Sequence, residues 1–206
     1  PLAWLMASAG CRVHAFDPGA PPPRGALPPN VTFHRWGLPT DPSLSERQER
    51  LFTSASYGAT SEGEYLSMRQ IRARLGHERT PLTVLKLDCE GCEWWTLATI
   101  ELGLVEQLLA ELHFSSSLRF SERVAGDVVP SADANLRAHG FAAFHYRAQP
   151  GSLPDQHVPP ALVAAGMRHA SCCREVSLVK SASLNLKVTP VEHVERQGSS
   201  VGSHTR

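Results

Sequence analysis

The stretch that most restricts what this chain can become is PLTVLKLDCEGCEWWTLATIEL, residues 81–102. Its first part is a short apolar, β-branched run, which predicts an interior parallel strand covered on both faces. Its second part carries Trp94, Trp95, Leu97, Ala98 and Leu102 as a broad apolar stripe, which predicts a helix packed on that sheet. Between them stand Asp88, Glu90 and Glu93, three carboxylates at one strand-to-helix junction. Helix capping accounts for Glu93, because helix amides favour negative charge. Asp88 is harder to explain that way: an acid at the end of a buried strand is costly unless it is paired or faces a polar cleft.

The rest of the chain alternates in the same manner. LAWLMASA closed by Gly10 predicts a helix, and CRVHAFD (11–17) a strand. The proline-rich loop PGAPPPRGALPPN follows, and VTFHRWGL (31–38) predicts a second strand. A short helix is expected at 44–52. Ser61 and Glu64 have capping-box spacing ahead of a helix at 65–75, which Met68, Ile71 and Leu75 line and Gly76 ends. QLLAELHF (107–114) predicts another buried strand, Ser131–His139 a capped helix, and FAAFHYRA and CCREVSLVK two closing strands. The pattern is an α/β domain with a mostly parallel sheet over residues 1–180, followed by a polar tail at 181–206.

In such sheets ligands sit beyond the carboxyl ends of the strands. That rule selects Asp17, Gly37, Asp88 with Glu90, and His113. Asp17 could accept hydrogen bonds from both hydroxyls of a ribose, or simply open a turn before Pro18. His113 is either a hydrogen-bonded core residue or, beside Asp88 and Glu90, a general base with an ordinary pKa of about 6.5. Glu111 lies on the same strand face as His113.

The spacing of Cys89 and Cys92 admits a redox dithiol, half of a zinc site, or two small hydrophobes. Surrounding acids would raise a thiol pKa and blunt its attack. The remaining cysteines, Cys11, Cys172 and Cys173, do not form a second Cys-x-x-Cys for zinc. Filling space beneath the turn is the expected role, and with five cysteines at least one thiol is expected to be free in a monomer. No metal is assigned; an ion on Asp88, Glu90 and His113 is the lesser reading.

Twenty basic residues balance twenty acidic ones, without a basic cluster, so no nucleic-acid partner is expected. No apolar run reaches the ~20 residues needed to span a bilayer.

Taken together, GCRVHAFDP, VTFHRWGL, RLGH, LKLDCEGCEW, LLAELHF and CCREVSLV resemble the animal methyltransferase-like family related to FkbM-type methyltransferases, over roughly residues 8–180. The sharpest match is LKLDCEGCEW, similar to that family's Leu-Lys-x-Asp-x-Glu-Gly-x-Glu-Trp pattern, with Cys89 and Cys92 at its variable places. The resemblance implies a Rossmann-like class I fold with helices on both sheet faces and S-adenosylmethionine as cofactor. It puts Asp17 at the ribose, Gly37 and Leu38 near the adenine, and Asp88 and Glu90 at the methyl-transfer cleft; His113 and Glu111 join that cleft by position. It also implies a first strand and glycine-rich turn ahead of Pro1, without which the cofactor would bind weakly, and a secretory-pathway or membrane-anchored setting. The expected reaction is O-methylation of a small-molecule, glycan or protein acceptor. A catalytically silent scaffold and a nicotinamide-dependent oxidoreductase are the alternatives.

Overall fold

The computed structural model describes residues 2–43, 63–114, 121, 123–148 and 173–181. The predicted helix at 44–52, Ser61 and the tail beyond Ser181 lie outside the described residues. The elements begin with α1 (Leu2–Ser8), β1 (Val13–Phe16), β2 (Val31–His34), β3 (Trp36–Gly37) and β4 (Glu64–Tyr65). They continue with α2 (Met68–Arg74), β5 (Leu82–Leu87), α3 (Glu93–Thr99), a 3-10 turn at Leu102–Leu104 and β6 (Val105–His113). A π-helical turn at Val124–Val128 then leads into α4 (Val129–Ala138), β7 (Phe141–Ala148) and β8 (Cys173–Lys180). No helix among the described residues is long and apolar enough to cross a membrane.

The four-stranded sheet has the order β5-β6-β8-β7. β5 and β6 are parallel, whereas β6–β8 and β8–β7 are antiparallel, so the main sheet is mixed rather than mostly parallel. Two further pairs, β1–β2 and β3–β4, are parallel. The chain passes from β1 to β2 through the proline-rich loop without a helix, because the run of prolines removes amide donors and fixes φ.

α3 and α4 pack on the sheet through Trp94, Leu97, Leu102, Val105, Leu108, Ala132 and Phe141, which belong to one buried cluster. Leu97, Leu102 and Leu108 are essentially sealed from solvent, each contributing roughly 1.5–3 kcal/mol of burial. β6 is the buried centre; β5, paired only with β6 among the described residues, exposes Thr83 and Lys86 and fully buries only Leu87. That corrects the expectation of a strand covered on both faces.

Two helix starts also differ from expectation. Ser67, not Ser61, caps α2: it accepts from the Gln70 amide, and Gln70 returns a bond to the Ser67 amide, while Glu64 and Tyr65 are drawn into β4. The 131–139 helix begins earlier, at Val129 behind the π-helical turn, and Ser131 donates back to the Asp127 carbonyl instead of capping.

On one face of the β1–β2 pair, His14, Phe16, His34 and Trp36 stack in succession, with His34 and Trp36 at a centroid separation of 4.4 Å. Burial holds the imidazoles of His14 and His34 below their ordinary pKa. Arg74 of α2 lies over the Trp36 ring, tying β3 to the helix.

Candidate functional site

Parallel pairing of β5 with β6 brings their carboxyl ends to the same edge, with Leu87 opposite Ala110. Asp88 therefore leaves β5 beside Glu111, and the turn that follows comes over His113. The turn is unusual in one respect: Glu90 has φ 57 and Gly91 φ 113. The left-handed conformation costs an L side chain about 1–2 kcal/mol, and it aims Glu90 back at the end of β6.

The result is a doubly held imidazole. His113, 2% exposed, has Nε2 3.1 Å from Glu90 Oε2 and Nδ1 2.9 Å from Glu93 Oε1. Glu93 is completely buried, and its carboxylate also accepts from the Cys89 amide at 2.8 Å and the Gly91 amide at 2.9 Å. Trp94 donates its indole N–H to the His113 carbonyl at 2.8 Å, fixing the strand end from the other side. Burial alone would lower the imidazole pKa, but hydrogen bonds and charge from Glu90 and Glu93 outweigh it and push His113 up to about 10.

His113 is consequently an imidazolium at neutral pH. A protonated imidazole has no lone pair with which to take a proton, which departs from the ordinary pKa expected of this histidine. Glu111, next to it on the sheet, is held above the usual carboxylate range by burial and then by the nearby charge of Asp88. Asp88 itself pairs with Lys86 Nζ at 2.8 Å, a contact that is largely solvent-facing.

A pH dependence follows with a definite sign. The folded-state pKa of His113 lies above its unfolded value of about 6.5. Its contribution is thus fully present below pH ~6.5 and is lost as pH rises through about 10. Urea unfolding of the wild type and His113→Asn should show a stability difference on the order of a few kcal/mol at pH 6 that shrinks steadily toward pH 10. A difference independent of pH would contradict the charged pair.

Asp88, Glu90 and His113 offer ligand atoms within 4.8 Å of one another, as do Glu111, His113 and Cys173. Cys173 is disulfide-bonded, so it offers no thiolate to a metal. Cys89 and Cys92 are disulfide-bonded to each other across the acidic turn. This corrects the reading of them as small hydrophobes. Cys11 is the free thiol among the described residues.

The other predicted residues gather around the smaller sheets. Asp17, exposed at the end of β1, accepts from the Gly19 and Ala20 amides through Oδ1, the turn-opening geometry. Pro18 lies against Gly37 so closely that a Cβ there would come within 2.7 Å of Pro18 Cγ. Gly37 therefore lets the Asp17 turn rest on β3, and the adjoining Leu38 packs against the main core. Glu93, read from the sequence as a helix cap, is the buried partner of His113; its signals were its place in the Leu-Lys-x-Asp-x-Glu-Gly-x-Glu-Trp pattern and its position three residues after Glu90.

Residues 2–153 match the model of a family described as a methyltransferase domain. No curated protein and no solved structure gives a match.

Proposed function

Because the chain belongs to a family of methyltransferase domains, we propose that it moves the methyl group of S-adenosylmethionine to an oxygen of a hydroxyl or carboxyl acceptor. The observation that carries this reading is the meeting of Asp88, Glu90 and His113 at the carboxyl edge of two parallel strands, the edge where α/β sheets bind ligands. The fold is read as Rossmann-like. In a sheet of order 3-2-1-4-5, the pairs β2–β1 and β5–β6 would flank a single strand.

The chain's own residues suit the cofactor. Asp17 commits one carboxylate oxygen to its turn, which leaves the second to accept from a ribose hydroxyl. Gly37 and Leu38 would border the adenine. The cofactor supplies an electrophilic methyl group on a sulfonium. The protein's task is then alignment, with the reacting atoms about 3–3.5 Å apart, and removal of the acceptor's proton.

Asp88 and Glu90 orient or deprotonate the acceptor, and Glu111 is a second proton acceptor whose raised pKa suits the work. His113 holds Glu90 in position and keeps positive charge beside the carboxylates. The two anchors of the imidazole, one exposed and one buried, divide the labour: Glu90 can reach an acceptor, and Glu93 cannot.

Calorimetric titration of the full-length protein with S-adenosylmethionine and with NAD tests the reading. Binding of S-adenosylmethionine, weakened about tenfold or more in Asp17→Ala, is expected, with none for NAD. Equal binding by wild type and Asp17→Ala would remove the cofactor assignment.

A further inference from the structure

We propose that Cys89 and Cys92 form a redox-active pair, opened by a dithiol reductant, whose state governs how Glu90 and His113 are held. The inference deepens the methyl-transfer reading, on which its consequence for catalysis rests.

The cross-link closes a ring over residues 89–92. Inside that ring lie Glu90, which holds His113 Nε2, and the Cys89 and Gly91 amides, which hold the Glu93 carboxylate that binds Nδ1. Both anchors of the imidazole are thereby tied to the closed turn. Opening the ring frees Glu90 to leave its left-handed conformation, which L side chains adopt at a cost.

The two sulfurs are not equivalent. Cys92 is fully buried, whereas Cys89 is partly exposed. An incoming thiolate therefore meets Cys89 Sγ. The sulfur–sulfur bond breaks and its electron pair passes to Cys92 Sγ, toward which the Thr96 hydroxyl donates at 3.7 Å. The reductant's second thiol then attacks the mixed disulfide and releases Cys89. The dithiol leaves oxidised to its disulfide, and its two protons end on Cys89 and Cys92.

Acids beside the turn raise thiol pKa values and so slow attack by the reduced pair, but they do not protect the bond from attack at Cys89. They do select the reductant. Asp88 and Glu90 repel an anionic thiol and favour a cationic one, by an amount that salt screens.

The experiment exposes the native protein to dithiothreitol, to cysteamine and to 3-mercaptopropionate, followed by alkylation and peptide mass spectrometry. With dithiothreitol, capping of both Cys89 and Cys92 is expected while the near-ultraviolet circular dichroism stays native; each monothiol is expected to leave Cys89 in a mixed disulfide and Cys92 capped. Corrected for the thiolate fraction of each reagent, cysteamine should act roughly tenfold faster than 3-mercaptopropionate at low salt, and the ratio should shrink as salt is added. In the reduced protein, and in the Cys89→Ser/Cys92→Ser variant, the proton affinity of His113 followed by imidazole NMR should fall about tenfold or more.

Alkylation that occurs only after unfolding, or a His113 titration identical in the oxidised and reduced proteins, would overturn the proposal. Reduced wild type supplies the second reading should the double variant fail to fold. Neither measurement uses cofactor or acceptor, so failure here leaves the methyl-transfer reading standing, and failure of cofactor binding leaves this one.

Discussion

Replacing Glu93 by alanine is expected to destabilise the protein by about 3–5 kcal/mol, the usual cost of removing one member of a buried charged pair. Three groups lose their acceptor at once: His113 Nδ1 and the amides of Cys89 and Gly91. A buried donor left without a partner costs roughly 1–3 kcal/mol by itself. Glu93→Gln should fall between the two proteins, because an amide oxygen can still accept one of these bonds but carries no charge. Urea unfolding at neutral pH reads the effect. A change below about 1 kcal/mol in Glu93→Ala would mean that the carboxylate is an ordinary helix cap and that the imidazole is held without it.

Glu90→Gly separates stability from chemistry. Glu90 is 41% exposed at its side chain and sits in the left-handed region. Glycine relieves that conformational cost of about 1–2 kcal/mol while the buried His113 Nε2 loses its partner at roughly 1–3 kcal/mol, so the two largely offset and stability should fall by no more than about 2 kcal/mol. On the proposed function, turnover followed as S-adenosylhomocysteine release should fall about 10²–10⁴-fold. Retained turnover would move the chemistry off this turn. A left-handed backbone at Glu90 fits the general tendency of functional sites to store strain.

LKLDCEGCEW was informative because its message is local: an apolar run, an acid, a glycine and a helix can be ordered without knowing what packs on them. The carboxyl-edge rule then brought Asp88, Glu90 and His113 into one frame, and the structure puts their ligand atoms within 4.8 Å of one another. What escaped depends on long-range partners. Glu64 looked like half of a capping box until pairing with Trp36 claimed it for a strand. β5 looked interior because its side chains are apolar, although its neighbours among the described residues cover only one edge.

Glu93 could be dismissed as a cap because nothing in the chain near it reveals that His113 arrives from β6, twenty residues on. The same ignorance gave His113 an ordinary pKa, and only its two carboxylate anchors reverse that. For the cysteine pair, spacing was compatible with several chemistries, and choosing among them required the geometry of the turn.

The central claim is that cofactor and acidic turn share one cleft, so that a ligand held by Asp17 is felt at His113. Titration of the full-length protein with S-adenosylhomocysteine, watching the His113 imidazole by NMR, tests it most directly. The account predicts that the His113 resonance moves in step with binding and stays still for Asp17→Ala at the same ligand concentration. Saturation of the wild type with no change at His113 would contradict it.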